Sequence, residues 1–176
     1  MTNTSPRYTS DIIALEAKSN QVKRWLQASD KMTAHNERTL GFLLHITKAF
    51  HQQGVALLVG SDSGVLLSPH GLATHNEMQL LQQAGLRSFE VLAAATINPA
   101  KALKLDKRLG VIAVSYDADF IYSQSDPIAD LSVLKHPEAV VKNGYWYSKQ
   151  NLDDMRAQAI ASRSIWQELL LLFSAL

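Results

Sequence analysis

Asp62 is the side chain best placed to do chemistry. It stands in Val59-Gly60-Ser61-Asp62-Ser63-Gly64, just past a short apolar run, Val55-Ala56-Leu57-Leu58-Val59, bounded by Gly54 and Gly60. A run of that kind after a helical pattern reads as a buried parallel strand. Side chains at the C-terminal end of such strands point into the ligand crevice of parallel α/β folds. A carboxylate there can bind a metal ion or accept a proton as a general base. Strand-ending aspartates also cap helices and fix turns, and the local residues leave that role open.

The elements that must position Asp62 follow from periodicity. Residues 1–10 are rich in Ser, Thr and Asn and carry no hydrophobic period, so a loose arm is expected. Over residues 11–28, Ile12, Leu15, Val22, Trp25 and Leu26 recur near helical spacing. A helix is expected over 37–52, with Asn36 as N-cap, Leu40, Leu43, Ile46 and Phe50 on one face, and Gly54 as its stop. Residues 64–71 read as a loop around Pro69. Helices should follow over 75–84, over 88–96 with Ser88 as N-cap, and over 99–105 after the Asn98-Pro99 break.

From Gly110 the pattern turns to strand. Residues 111–114, 118–122 and 139–147 read as β runs, and Asn143-Gly144 between β-prone segments predicts a hairpin. The tail, 152–173, reads as a long helix with Leu152, Met155, Ala159, Ser162, Trp166, Leu169 and Phe173 as a packing seam.

Composition removes several classes. The chain has 176 residues, 47% of them hydrophobic, enough for a real core. A net charge of +1 argues against nucleic acid as the main partner. The absence of cysteine excludes a disulfide scaffold, a thiolate zinc site and a cysteine nucleophile. No apolar run approaches the roughly 20 residues that span a bilayer, so no membrane is expected and the cytoplasm is the default. The length also falls short of the about 200 residues that a (β/α)8 barrel needs.

The residues from Asp62 onward carry a resemblance. Asp62-Ser63-Gly64, then Pro69-His70-Gly71-Leu72-Ala73-Thr74-His75-Asn76-Glu77-Met78 and Ala84-Gly85-Leu86, are followed by residues 91–103 with their Asn98-Pro99. Residues 109–113, Asp117-Ala118-Asp119-Phe120, Asp126-Pro127 and Val140-Val141-Lys142-Asn143-Gly144 continue the pattern. In order and spacing, residues 37–149 resemble the C-terminal part of the amidohydrolase superfamily, close to imidazolonepropionase-like and Xaa-Pro-dipeptidase-like members. The resemblance implies an α/β fold: an N-terminal arm and helices over 1–36, then a partial (β/α)8 barrel over 37–108 with its eighth strand at about 55–60. A small antiparallel β-sandwich segment over 109–149 and a C-terminal helix over 150–176 complete it.

The resemblance further implies metal-dependent hydrolysis of C–N bonds, in amides, cyclic amides or peptides. Asp62 would be metal ligand and base, and His70 and His75 would lie on the substrate side. The implied cofactor is a divalent metal, with zinc the first candidate, and the implied substrate is a small molecule or dipeptide. Such sites also use a His-x-His pair and further strand-borne ligands, and no His-x-His occurs in this sequence. His45 and His51 fall on different faces of the 37–52 helix, and His35 and His136 lie outside any ligand pattern. One carboxylate does not hold a catalytic metal, because three or four protein ligands are usual. The expectation is therefore a chain that lacks a complete site and binds no metal alone, completed by an N-terminal half chain. The alternative is a non-catalytic remnant that forms a homo-oligomer, its unpaired strand and apolar tail serving as an interaction module.

Overall fold

The computed structural model describes residues 24, 27–28, 33–63 and 71–161. Helix α1, Thr33–Gln52, is the helix expected over 37–52, begun one turn earlier. Asn36 lies inside it and is not its cap. Glu37 and Arg38 are good helix formers, and Arg38 Nε donates to the Ala34 carbonyl at 3.2 Å, so the helix propagates backward. Gly54 ends it as expected. With φ at 76°, it lets its own N–H reach the His51 carbonyl and the Val55 N–H reach that of Phe50, both at 3.0 Å.

Residues 55–59, the expected barrel strand, form no strand ladder among the described residues. A ladder needs a neighbouring strand, and no described strand lies beside this segment. Helices hold it instead. The Val59 N–H donates to the Ala94 carbonyl at 2.9 Å, and Asn98 Nδ2 donates to the Leu57 carbonyl at 2.9 Å.

Three helices supply those partners. Helix α2, Leu72–Gln83, starts before His75 behind Gly71, and helix α3, Ser88–Ala95, is capped by Arg87 and not by Ser88. The break before helix α4, Ile97–Ala102, falls at Thr96, one turn ahead of Pro99. Pro99 is tolerated inside the first turn of α4 because its missing N–H has no partner there. Met78, Leu81, Ala84, Leu86, Val91 and Ala94 form the core, with Leu44, Leu57, Val59 and Leu92 packed against it. Gly110 seals one side of α4: at φ +96°, a Cβ there would lie 2.9 Å from both the Ala100 Cβ and the Ile97 Cα.

The second half is a three-stranded antiparallel sheet, ordered β1, Phe120–Tyr122, β2, Ala139–Lys142, and β3, Tyr145–Ser148. Phe120 opposes Val141, which opposes Trp146. Asn143 and Gly144 both have positive φ, 51° and 78°, the requirement of the tight hairpin expected at Asn-Gly. The predicted strand over 111–114 is absent: Val111, Ile112 and Val114 are exposed in turns and bends. Their β propensity is a preference for a packed pleated surface, and no strand is there to provide one. The described residues thus form one sheet layer.

A 3-10 helix, Leu131–Lys135, had no periodic signal. Asp130 caps it by accepting from the Ser132 N–H at 2.8 Å, and Leu131 enters the helical core, tying the two halves together. Helix α5, Lys149–Ala161, follows β3 directly, with Ser148 and Asn151 bonded reciprocally at its start. The rest of the expected seam, from Ser162 to Phe173, lies outside the described residues, as do the arm and most of the 11–28 helices.

Leu81→Ala should cost about 2–5 kcal/mol of stability, the usual range for emptying a core leucine position. Phe89→Ala, at a side chain 65% exposed, should stay within about 0.5 kcal/mol. Denaturant unfolding of both variants checks the assignment of the core.

Candidate functional site

Asp62 emerges from the end of the 55–59 segment with φ at 45°, in the left-handed region that aspartate tolerates better than most residues. It is exposed, and among the described residues it caps no helix. Beside it, Ser63 Oγ donates to Ser61 Oγ at 2.8 Å. The backbone that presents Asp62 is fixed just before Gly60 by the Leu57 and Val59 contacts to α4 and α3.

Of the other two candidate residues, the structure describes His75 alone. His70 lies outside the described residues. His75 is half-buried on α2 and lines a pocket of about 50 Å³ with Met78, Gln79, Gln82, Asp130, Leu131, Ser132 and Lys135. Asp62 does not line that pocket. Burial pushes the His75 imidazole below its ordinary pKa of 6.5, and the nearby cations Lys135 and His136 push the same way. Glu77, on the same helix, has its carboxyl pushed up by burial.

A second pocket, of about 130 Å³, opens between the end of α1, residues 55–57 and α3. Its lining is mainly apolar, with His51, Glu90 and Asn98 as its polar members. His51 Nε2 lies 3.4 Å from Glu90 Oε2, and Glu90 also accepts from the Arg87 backbone N–H at 2.7 Å and from its guanidinium at 2.8 Å. Those Arg87 bonds hold the Glu90 carboxyl down to about 2. The sequence could show Arg87 and Glu90 as a helix-start pair three residues apart; nothing local pointed to His51.

The fit of a metal can be judged from the donors. Among the described residues, no group of three or more His, Asp or Glu side chains converges as a metal site would require. Asp62 therefore offers one ligand of a set that the described residues do not complete. Among those residues, no helix is long and apolar enough to cross a membrane.

The pH dependence follows from His75. Its folded pKa lies below the unfolded value of 6.5, so the unfolded chain takes up the proton first, and stability falls as pH drops below about 6.5. Thermal unfolding between pH 7 and 5 should show that loss, and His75→Gln should flatten it.

Comparison with known proteins adds a family and a set of folds. Residues 3–146 match the family model described as the amidohydrolase family. Comparison with curated proteins finds no match. Among solved structures, a Xaa-Pro dipeptidase with methionine bound in its active site is similar at TM-score 0.57 and 24% identity, over 80% of this chain and 32% of that one. At that identity the likeness is one of fold. A protein assigned as a prolidase from Bifidobacterium longum is similar at TM-score 0.54 and 34% identity, over 57% of this chain and 25% of that one. Molinate hydrolase is similar at TM-score 0.54 and 26% identity, over 60% and 26% of the two chains. The chain spans between 25% and 32% of the length of these three structures.

Proposed function

The chain belongs to the amidohydrolase family, and from that premise we propose that it takes part in metal-dependent hydrolysis of carbon–nitrogen bonds, contributing Asp62 to the site. The observation that carries this reading is the placement of Asp62. It is an exposed carboxylate on a left-handed residue, directly after an apolar segment anchored to two helices. In the complete fold that segment is the eighth strand of the barrel, residues 109–149 belong to a β-sandwich, and Asp62 is both metal ligand and proton acceptor.

The metal, zinc or another divalent ion, would lower the pKa of a water and so supply a nucleophile at neutral pH. Since the described residues present one ligand, the remaining donors come from polypeptide outside them. Asp62 Oδ then takes the proton of the attacking water, the work of a general base. His70 and His75 follow Asp62 in the sequence, and their role is on the substrate side. The prolidase-like neighbours favour a dipeptide or another small amide as substrate.

The test pairs the purified chain with an amidohydrolase polypeptide that carries the His-x-His strand, in the presence of zinc. Xaa-Pro dipeptides and cyclic amides serve as substrates. Hydrolysis should depend on both polypeptides and the metal, and Asp62→Asn should lower it about 10²–10⁴-fold. Absence of a complex and of metal uptake, or full activity in Asp62→Asn, rejects the reading.

A further inference from the structure

Two hydrogen bonds tie the end of the 55–59 segment to the helices. Asn98 Nδ2 donates to the Leu57 carbonyl at 2.9 Å, and the Val59 N–H donates to the Ala94 carbonyl at 2.9 Å. They differ in kind. Ala94 offers a main-chain carbonyl that any residue would carry, whereas the bond to Leu57 needs the side-chain amide of Asn98. A single attachment leaves a segment free to swivel about it. Two attachments, at Leu57 and at Val59, fix its direction as well as its place. Asp62 follows Val59 by three residues, so a change of direction at Leu57 is carried forward to the carboxylate.

Helix α4 has no use of its own for an asparagine at this position. Its cap is Thr96, with no side-chain cap bond, and Asn98 sits inside its first turn. Asparagine is among the poorer helix formers, because its amide competes for backbone hydrogen bonds. Here the half-buried amide reaches out of the helix and across 41 residues of chain instead. The break at Thr96 serves the same end, since it puts the Ala94 carbonyl and the Asn98 amide beside one stretch of backbone. Leu57 and Val59 pack their side chains against the core, which sets the depth of the segment, and the two bonds set its course.

We propose that Asn98 is a positioning residue for Asp62: its amide, through the Leu57 carbonyl, sets the backbone from which the Asp62 carboxylate is presented. The kinetic consequence of that role rests on the hydrolase reading. Its structural consequence does not, because the left-handed backbone of Asp62, with φ at 45°, is a property of this chain by itself.

The structural test is NMR on the full chain, labelled with stable carbon and nitrogen isotopes, without metal. The parent should show a scalar coupling through the hydrogen bond from the Asn98 side-chain nitrogen to the Leu57 carbonyl carbon, and Asp62 Cα and Cβ shifts of a left-handed residue. Asn98→Ala removes the donor, and Asn98→Asp sets an acceptor against an acceptor at nearly the same size. In both, the Asp62 shifts should leave the left-handed range. Leu81→Val, a change in the core, should leave them where they are. The kinetic test uses the two-polypeptide assay. Asn98→Asp should lower kcat about 10–100-fold, the scale of a misplacement of about 1 Å, with KM within about twofold of the parent. Full activity in Asp62→Asn rejects the hydrolase reading and leaves the NMR result to decide the role of Asn98. A parent without the coupling, Asp62 shifts unmoved in both Asn98 variants, or equal movement in Leu81→Val overturns the proposal. So does parental kcat in Asn98→Asp where Asp62→Asn is inactive.

Discussion

The bond from the Asn98 side-chain amide to the Leu57 carbonyl spans 41 residues of chain and fixes a segment that joins no sheet among the described residues. An apolar stretch without a ladder leaves backbone groups to be satisfied, and each one left buried and unpaired costs about 1–3 kcal/mol. Asn98 and the Ala94 carbonyl meet that demand from the helical side. Leu57 and Val59 can then turn their side chains into the core while Asp62, a few residues on, stands clear of it. The helix break at Thr96 belongs to the same arrangement. It ends α3 with the Ala94 carbonyl available and starts α4 with Asn98 in the first turn. Thr96 Oγ1 returns to the Leu92 carbonyl at 2.7 Å, so the break leaves that hydroxyl satisfied.

Much of the helical half was legible because its signals are local. The leucine spacing of α1, its Gly54 stop and the boundaries near Gly85 and Thr96 are all written within a turn or two of where they act. The hairpin was equally legible, because Asn143-Gly144 serves a dihedral requirement that few other pairs meet. Residues 55–59 show the limit of such reading. Composition marks an apolar segment, but whether it becomes a strand depends on a neighbour that composition does not name. Residues 111–114 fail as a strand for the same reason. The 3-10 helix at Leu131–Lys135 has too few residues to show a period, although Asp130 two residues before Ser132 is a capping spacing in hindsight.

The candidate site was legible in position and not in company. Gly60 and Gly64 around Asp62 signal a tight turn that exposes a carboxylate, and Asp62 is exposed in the structure. The environment of His75 depends on Lys135 and His136, and that of Glu90 on His51; these are tertiary meetings that no spacing encodes. His75 thus reads as a half-buried residue of α2 that shares a pocket with the 3-10 helix.

The hairpin turn carries a last consequence, a chemical one. Asn-Gly is the dipeptide in which a main-chain nitrogen most readily attacks the preceding side-chain amide to form a succinimide ring. Here that nitrogen, Gly144 N, donates to the Ala118 carbonyl at 3.1 Å, while the Asn143 N–H is held by Asp119 at 2.6 Å and Lys142 pairs with the same carboxylate. The pair chosen for its backbone angles is clamped by the two residues that precede β1. Slow deamidation, and the kinked isoaspartyl linkage it leaves, is thereby opposed by the same contacts that close the sheet.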